Sequence, residues 1–294
     1  IITLVNPKVI FTRTKKNLEK KFYKKIILVQ KDLKNILQAT NDYDLKFENH
    51  IKCILFTSGT TGPPKGVIVR DKMLIASAYA TGIACDIKTK DKFLLWESLS
   101  HIGGIEVLLL CLMEGSSFVL LKKFSAKKFW KQIRKNKITK LHYLGGVLDI
   151  LIKQRTKNTD RKHQVELAFG AGARRETYHT FKKRFNISLR EVYGMTEASS
   201  FTTINFKRKL GSIGRPLPWF KLKLVKKVNG IGEIVINEKQ KGLITRGYYK
   251  DNKSTKILIQ KDGLHTGDLG KIDSNGNVFY IGRIKDFVRV KGEN

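Results

Sequence analysis

Between about residues 50 and 200, short β-rich apolar runs alternate with longer segments whose apolar positions recur every three or four residues. "IKCILFT" (51–57) reads as a buried strand, followed by a glycine-rich loop and a helix from about Asp71 to Ala84 with Asp71 as its N-cap. "KFLLWE" (92–97) predicts a strand, "IGGIEVLLLCLM" (102–113) an apolar helix and "SSFVLL" (116–121) another strand. "SAKKFWKQIRKNK" (125–137) predicts a helix opened by Ser125, with Phe129 and Ile133 four apart on its inner face. "TKLHYL", "VELAFGAGA" and "SLREVYG" continue the alternation, which predicts an α/β fold of helix-covered β-sheets.

After about residue 205 the rhythm changes to strands and turns: "FKLKLV", "GEIVINEK", "KGLITRG" and "LGKIDSNGNVFYIG". The Asn-Gly pair in "DSNGN" predicts a hairpin. The expected organisation is an α/β part over 1–204, a smaller β-rich subdomain over 205–283 and a stub over 284–294.

Composition narrows this picture. The 294 residues are 41% hydrophobic, enough for a substantial core. The longest apolar run, "IEVLLLCLMEG", is bracketed by Glu106 and Glu114 and falls short of the roughly 18 residues of a membrane span. Cys53, Cys85 and Cys111 are odd in number and widely spaced, which excludes a full disulfide framework and any CxxC motif and leaves buried thiols in a reducing cytoplasm as the expectation. The chain begins with Ile, shows no secretory signal, and stops at "VKGEN" in mid-element, so the expectation is a piece truncated at both ends of a longer cytoplasmic protein.

The 58 Lys plus Arg against 25 Asp plus Glu give +33, which raises the question of a polyanionic partner. The excess is mostly lysine and is spread from "RTKKNLEKKFYKK" through "KKFWKQIRKNK" to "VKKVNG", with no basic stripe interleaved with aromatics. Solvated helix faces are the expected meaning, no specific nucleic acid is expected, and a polyanion-binding surface stays open as an alternative.

The chemistry concentrates in "FTSGTTGPPKG" (56–66). Glycines let backbone amides approach an oxyanion without an intervening Cβ, hydroxyls add donors, and Lys65 supplies a point charge. Lys65 lies between Pro64 and Gly66, so the Gly-Lys-Ser/Thr of a Walker loop is absent.

"TSGTTGPPKG" resembles the signature phosphate loop of the adenylate-forming superfamily, which includes acyl-CoA synthetases, peptide-synthetase adenylation domains and firefly luciferase. Further motifs follow in that family's order: "LSHIGG" (99–104), "GAGARRE" (170–176), "YGMTE" (193–197), "GLHTGDLG" (263–270) and "GRIKDFVRVKGEN" (282–294). The ending resembles acyl-CoA synthetases of the crotonobetaine/carnitine-CoA ligase type. "ESLSH" departs from the family in having neither the Pro nor the aromatic that often precede the histidine.

The resemblance implies an acyl-CoA synthetase-like large N-terminal domain, with the C-terminal lid absent, that converts a small-molecule carboxylic acid to an acyl-adenylate with ATP and Mg²⁺ and then to a thioester with coenzyme A. Loading of a carrier protein is the alternative acceptor. It further implies that Thr57, Ser58, Gly59, Thr60, Thr61, Gly62 and Lys65 hold the β- and γ-phosphates, and that Thr196 contacts phosphate while Glu197 binds the metal. Gly170, Ala171, Gly172 and Ala173 would accommodate adenine, with Tyr193 stacking on it and Gly194 beside it. Asp268 would bind the ribose hydroxyls, Arg283 the ribose or α-phosphate, and His101 would flank the acyl group; Lys285 would mark a hinge. The segments near His101–Gly104 and Leu144–Leu148 are apolar and small, which is consistent with an aliphatic acid without identifying it.

Overall fold

The computed structural model describes residues 10–12, 26–28, 51–57 and 63–286 of the chain. The chain divides into two units, Ile1–Phe47 and Glu48–Asn294. In the first, β1 (Ile10–Thr12) and β2 (Ile26–Leu28) pair in parallel.

The second unit is built on a seven-stranded sheet. Its strands are β5 (Lys92–Leu95), β6 (Ser117–Leu120), β7 (Lys140–Leu144), β8 (Leu167–Ala171), β9 (Ser188–Met195), β10 (Ser200–Ile204) and β11 (Arg215–Pro216), in the order β11-β10-β9-β8-β7-β5-β6. The run from β6 to β9 is parallel, and β10 and β11 close it antiparallel. The α/β alternation in the sequence is therefore realised as a helix-covered sheet.

Alternating strand residues feed two cores, as a period-two strand with both faces covered must. Phe93, Leu95 and Phe169 pack on one face with α1 (Asp71–Cys85) and α2 (Ile102–Glu114). Leu94, Leu141, Tyr143 and Ala168 pack on the other with α3 (Ala126–Lys135), α4 (Gly145–Ile152) and α5 (Arg175–Phe185). Phe129 (1% exposed) and Ile133 (0%) of α3 point inward as their spacing requires.

A second, antiparallel sheet takes the order β12-β13-β15-β14, from β12 (Phe220–Val228), β13 (Ile231–Glu238), β14 (Ile259–Gln260) and β15 (Gly263–Ile272), with β16 (Val278–Arg283) on β15 and α6 (Asn252–Leu258) preceding β14. The "DSNGN" hairpin forms between β15 and β16, where Asp273 accepts from the backbone N–H of Asn275 and Asn277 and Gly276 takes φ +74°. The change of sheet comes at Phe220, because β11 still pairs with β10.

Three local expectations change. The glycine-rich loop does not lead straight into a helix: β4 (Lys65–Arg70) returns antiparallel on β3 (Ile51–Thr57). Asp71 is the first residue of α1 and not its cap; Arg70 occupies the cap position, and Asp71 Oδ1 accepts from the Lys72 N–H at 2.7 Å. "KGLITRG" forms no strand, since its donors go elsewhere. The N–H groups of Gly242, Leu243 and Ile244 all point to Glu238 Oε2, at 3.1, 2.7 and 2.7 Å. That of Thr245 reaches the Glu197 carbonyl at 2.8 Å. Ser125 does hold the cap position of α3, although its hydroxyl makes no capping bond.

Candidate active site

The hairpin β3–β4 presents the two ends of the glycine-rich loop. Thr57 and Lys65 are register partners at its open end, and the Thr57 hydroxyl lies 3.5 Å from the Lys65 carbonyl. Ser58, Gly59, Thr60, Thr61 and Gly62 lie outside the described residues. The far edge of β4 is held by Ile68 N–H on Gly247 O (3.1 Å) and Tyr249 N–H on Gly66 O (2.7 Å). Lys65 Nζ sits 5.0 Å above the Tyr248 ring, and the Tyr248 hydroxyl donates to Glu197 Oε1 at 2.7 Å. Lys65 and Glu197 are thereby gathered on two sides of one phenol.

Glu197 belongs to a 3₁₀ turn, Thr196–Ala198, that links β9 to β10. Burial pushes its carboxyl above the usual range, while the Tyr248 hydroxyl and the charges of Lys65 and Arg283 pull the other way. Gly194, just before this turn, is there for space: a Cβ would stand 1.6 Å from the Ser200 carbonyl on β10.

A cavity of about 670 Å³ opens beside the β8 exit, lined among others by Ala171–Ala173, Tyr193, Gly194, Asp268 and Arg283. Gly170, which precedes that wall, can carry no side chain, because a Cβ would fall 1.9 Å from the Tyr143 carbonyl. Gly172 takes φ +85°, and its N–H and that of Ala173 donate to Glu191 Oε1. The Tyr143 hydroxyl donates to the other Glu191 oxygen at 2.6 Å. Burial pushes Glu191 up to about 7 despite these donors. Opposite, the Tyr193 hydroxyl donates to Asp268 Oδ2 at 2.7 Å, and Arg283 Nε lies 3.2 Å from Oδ1. Burial raises the Asp268 carboxyl against the pull of Tyr193 and Arg283.

A second cavity, of about 550 Å³, is lined by Thr57, Thr196, Met195 and His101 together with Trp96, Phe124 and Phe201. Ala171 and Gly194 line both cavities, so the two spaces meet there. His101 holds the cap position of α2, and of the segment 144–148 only Leu144 reaches this wall. Lys285 lies on an exposed 3₁₀ turn after Arg283.

The apolar, small segments expected at 101–104 and 144–148 form only part of this wall. Glu97, Glu106 and His142 also line the second cavity, with His142 Nδ1 2.6 Å from Glu97 Oε1. Gly103 lets α2 come this close, since a Cβ there would overlap Glu97 Oε2. A signal for His142 exists in "KLHYL": Leu141 and Tyr143 take the α3–α5 face, so the residue between them must face the other way. That pattern does not say what the side chain meets, and Glu191, next to Val192 and Tyr193 of one core, carries no such signal.

Among the described residues no cluster of three or more His, Cys, Asp or Glu is placed to hold a metal, and no helix is long and apolar enough to cross a membrane. Cys53 is partly buried, and Cys85 and Cys111 are buried free thiols.

Residues 1–249 match the family model "AMP-binding enzyme". The chain is 30% identical over 278 residues to a 2-succinylbenzoate–CoA ligase of Oceanobacillus iheyensis, covering 90% of this chain and 56% of the relative. It is 31% identical over 257 residues to a crotonobetaine/carnitine–CoA ligase of Proteus mirabilis, covering 82% and 49%. The fold superposes on O-succinylbenzoate Coenzyme A synthetase of Bacillus subtilis in complex with AMP (TM-score 0.82) and with ATP and a magnesium ion (0.80), each at 23% identity over 100% of this chain and 62% or 63% of that one. The chain thus spans about half the length of the curated relatives it matches. The motif order, the fold and the match over residues 1–249 place the chain in the AMP-binding enzyme family.

Proposed function

We propose that the protein of which this chain forms the described part activates a carboxylic acid with ATP and passes the acyl group to coenzyme A. The observation that carries this reading is the meeting of two cavities at Ala171 and Gly194, beside Thr196. One suits a nucleoside, the other an acyl chain, and a mixed anhydride of the two has its phosphate where they join.

In the first step a carboxylate oxygen bonds to the α-phosphorus and the bond to the β-phosphate breaks, releasing pyrophosphate. Negative charge concentrates at the junction, so the work of the residues is positioning and electrostatic stabilisation. Lys65 and the loop 57–62 hold the departing phosphates, and Thr196 donates to the α-phosphate. Asp268 accepts from the ribose hydroxyls, Arg283 reaches the ribose or α-phosphate, and Tyr193 lies against adenine beside Gly170–Ala173. His101 flanks the acyl group. In the second step the coenzyme A sulfur bonds to the acyl carbon and AMP leaves.

The residues present fit a magnesium ion in the chemistry of their donors: Glu197, whose Oε1 accepts from Tyr248, offers a carboxylate of the kind a hard cation takes and would hold it beside Lys65. Such an ion would neutralise the polyphosphate charge. The curated relatives are CoA ligases, which supports coenzyme A over a carrier protein as acceptor.

Calorimetric titration tests the shared junction. Hexanoyl-sulfamoyladenosine, a stable mimic of an acyl-adenylate, is expected to bind at least tenfold more tightly than AMP; equal affinity would mean that the two cavities do not serve one ligand.

A further inference from the structure

Asp268 stands on an irregular stretch of β15. Glu233 of β13 faces Leu269 and Val235 faces His265, so Ile234 alone opposes the three residues Thr266, Gly267 and Asp268. A bulge of this kind re-aims the side chains it carries and takes its N–H groups out of the strand ladder. Those groups then need other partners. Side chains supply them: Gly267, at φ +72°, donates to Glu233 Oε1 at 3.1 Å, and the Asp268 N–H donates to the Thr266 hydroxyl at 3.1 Å. That hydroxyl in turn donates to the Ile234 carbonyl at 2.8 Å.

Glu233 does more than satisfy one amide. Its other oxygen lies 2.9 Å from His265 Nδ1, and His265 Nε2 lies 2.8 Å from Asp262 Oδ1. Lys223 Nζ pairs with the second Asp262 oxygen at 3.2 Å. One carboxylate therefore grips β15 on both sides of Thr266. Glu233 and His265 are each only 8% exposed, and a buried carboxylate is costly in a sheet that a plain ladder could hold. Neither residue lines the first cavity, whereas Asp268 does. Glu233 can act on a ligand there only through the bulge.

On the reading under Proposed function, in which Asp268 takes the ribose hydroxyls, we propose that Glu233 is a positioning residue for the ribose: it ties Gly267 to His265, and that tie fixes where the Asp268 carboxylate stands. A role confined to holding the sheet would weaken every ligand alike. A positioning role is felt only by a ligand with a diol, and only while Asp268 is there to meet it.

Calorimetry of the 294-residue chain with AMP and 2′,3′-dideoxy-AMP tests this in Glu233→Asp, which keeps the charge beside His265 but is one methylene short of spanning both partners. Glu233→Asp is expected to weaken AMP at least fivefold and the dideoxy nucleotide less than twofold, with folding checked by thermal melting. Added to an Asp268→Ala chain, the same change is expected to alter AMP binding less than twofold, because residues that act through one another are not additive. Equal losses for the two nucleotides, an undiminished loss in the Asp268→Ala chain, or no loss at all overturns this proposal alone. Coupling is reciprocal, so the wild type gives a readout that survives an unstable variant. At saturation AMP is expected to slow amide exchange at Gly267 at least threefold more than the dideoxy nucleotide does, and equal slowing overturns the proposal. Wild-type chain that binds the two nucleotides equally well overturns the ribose role of Asp268 and this inference with it; failure to bind either overturns the proposed function as a whole.

Discussion

Single side chains set the site's affinity and its response to pH. Asp268 and Tyr193 are joined at 2.7 Å in the first cavity, so on the proposed reading a ribose diol would meet a carboxylate held in place. Asp268→Ala is expected to weaken AMP binding about tenfold or more, roughly 1.4 kcal/mol, read by calorimetry. Gly194→Ala should lower the melting temperature by several degrees, because a Cβ 1.6 Å from the Ser200 carbonyl forces β9 and β10 apart. Glu106 gives a signed pH dependence. Its folded pKa of about 8 lies above the usual carboxyl value, so the folded chain binds the proton more strongly than the unfolded one. The stability this contributes is fully present below about pH 4.5 and is lost as pH rises toward 8. His142, Glu97, Ser200 and Thr81 surround the group and remain in a Glu106→Gln variant. The wild type is therefore expected to lose melting temperature relative to Glu106→Gln between pH 5 and 9; parallel curves would show that Glu106 does not titrate in that window.

Two elements, the hairpin β3–β4 and the segment 241–247, frame Lys65 and Glu197, and the residue pattern disclosed only part of them. "IKCILFT" announced β3, but Gly66 and the two prolines before it masked "KGVIVR" as the return strand, whose pairing partner lies across a loop. The segment 241–247 has the alternation of a strand and yet wraps on Glu238 and Glu197, because a carboxylate that collects three N–H groups replaces the ladder those groups would otherwise join. That wrapped segment supports the Glu197 turn through the Thr245 N–H. Glu238→Ala should therefore speed amide exchange at Gly242–Ile244 and at the Thr196–Ala198 turn together. Exchange that rises at 242–244 alone would separate the two.

At the scale of the molecule, the order of motifs and the alternation of strands and helices were enough to expect an α/β adenylate-forming chain, because both are local patterns. The family match and the superposed fold agree with that expectation. The Glu97–His142–Glu106 cluster was not legible, since its members are spread over residues 97 to 142 and meet only once the segment after β5, β7 and α2 pack. The same holds for Glu191 beneath the 172–173 amides. Central to the account is that one ligand spans both cavities across Ala171 and Gly194. A crystal structure of the chain with hexanoyl-sulfamoyladenosine tests this most directly. The account predicts adenosine beside Tyr193 and Asp268, the sulfamate at Gly194 and Thr196, and the acyl chain between Trp96 and His142; an acyl chain lying outside the second cavity would contradict it.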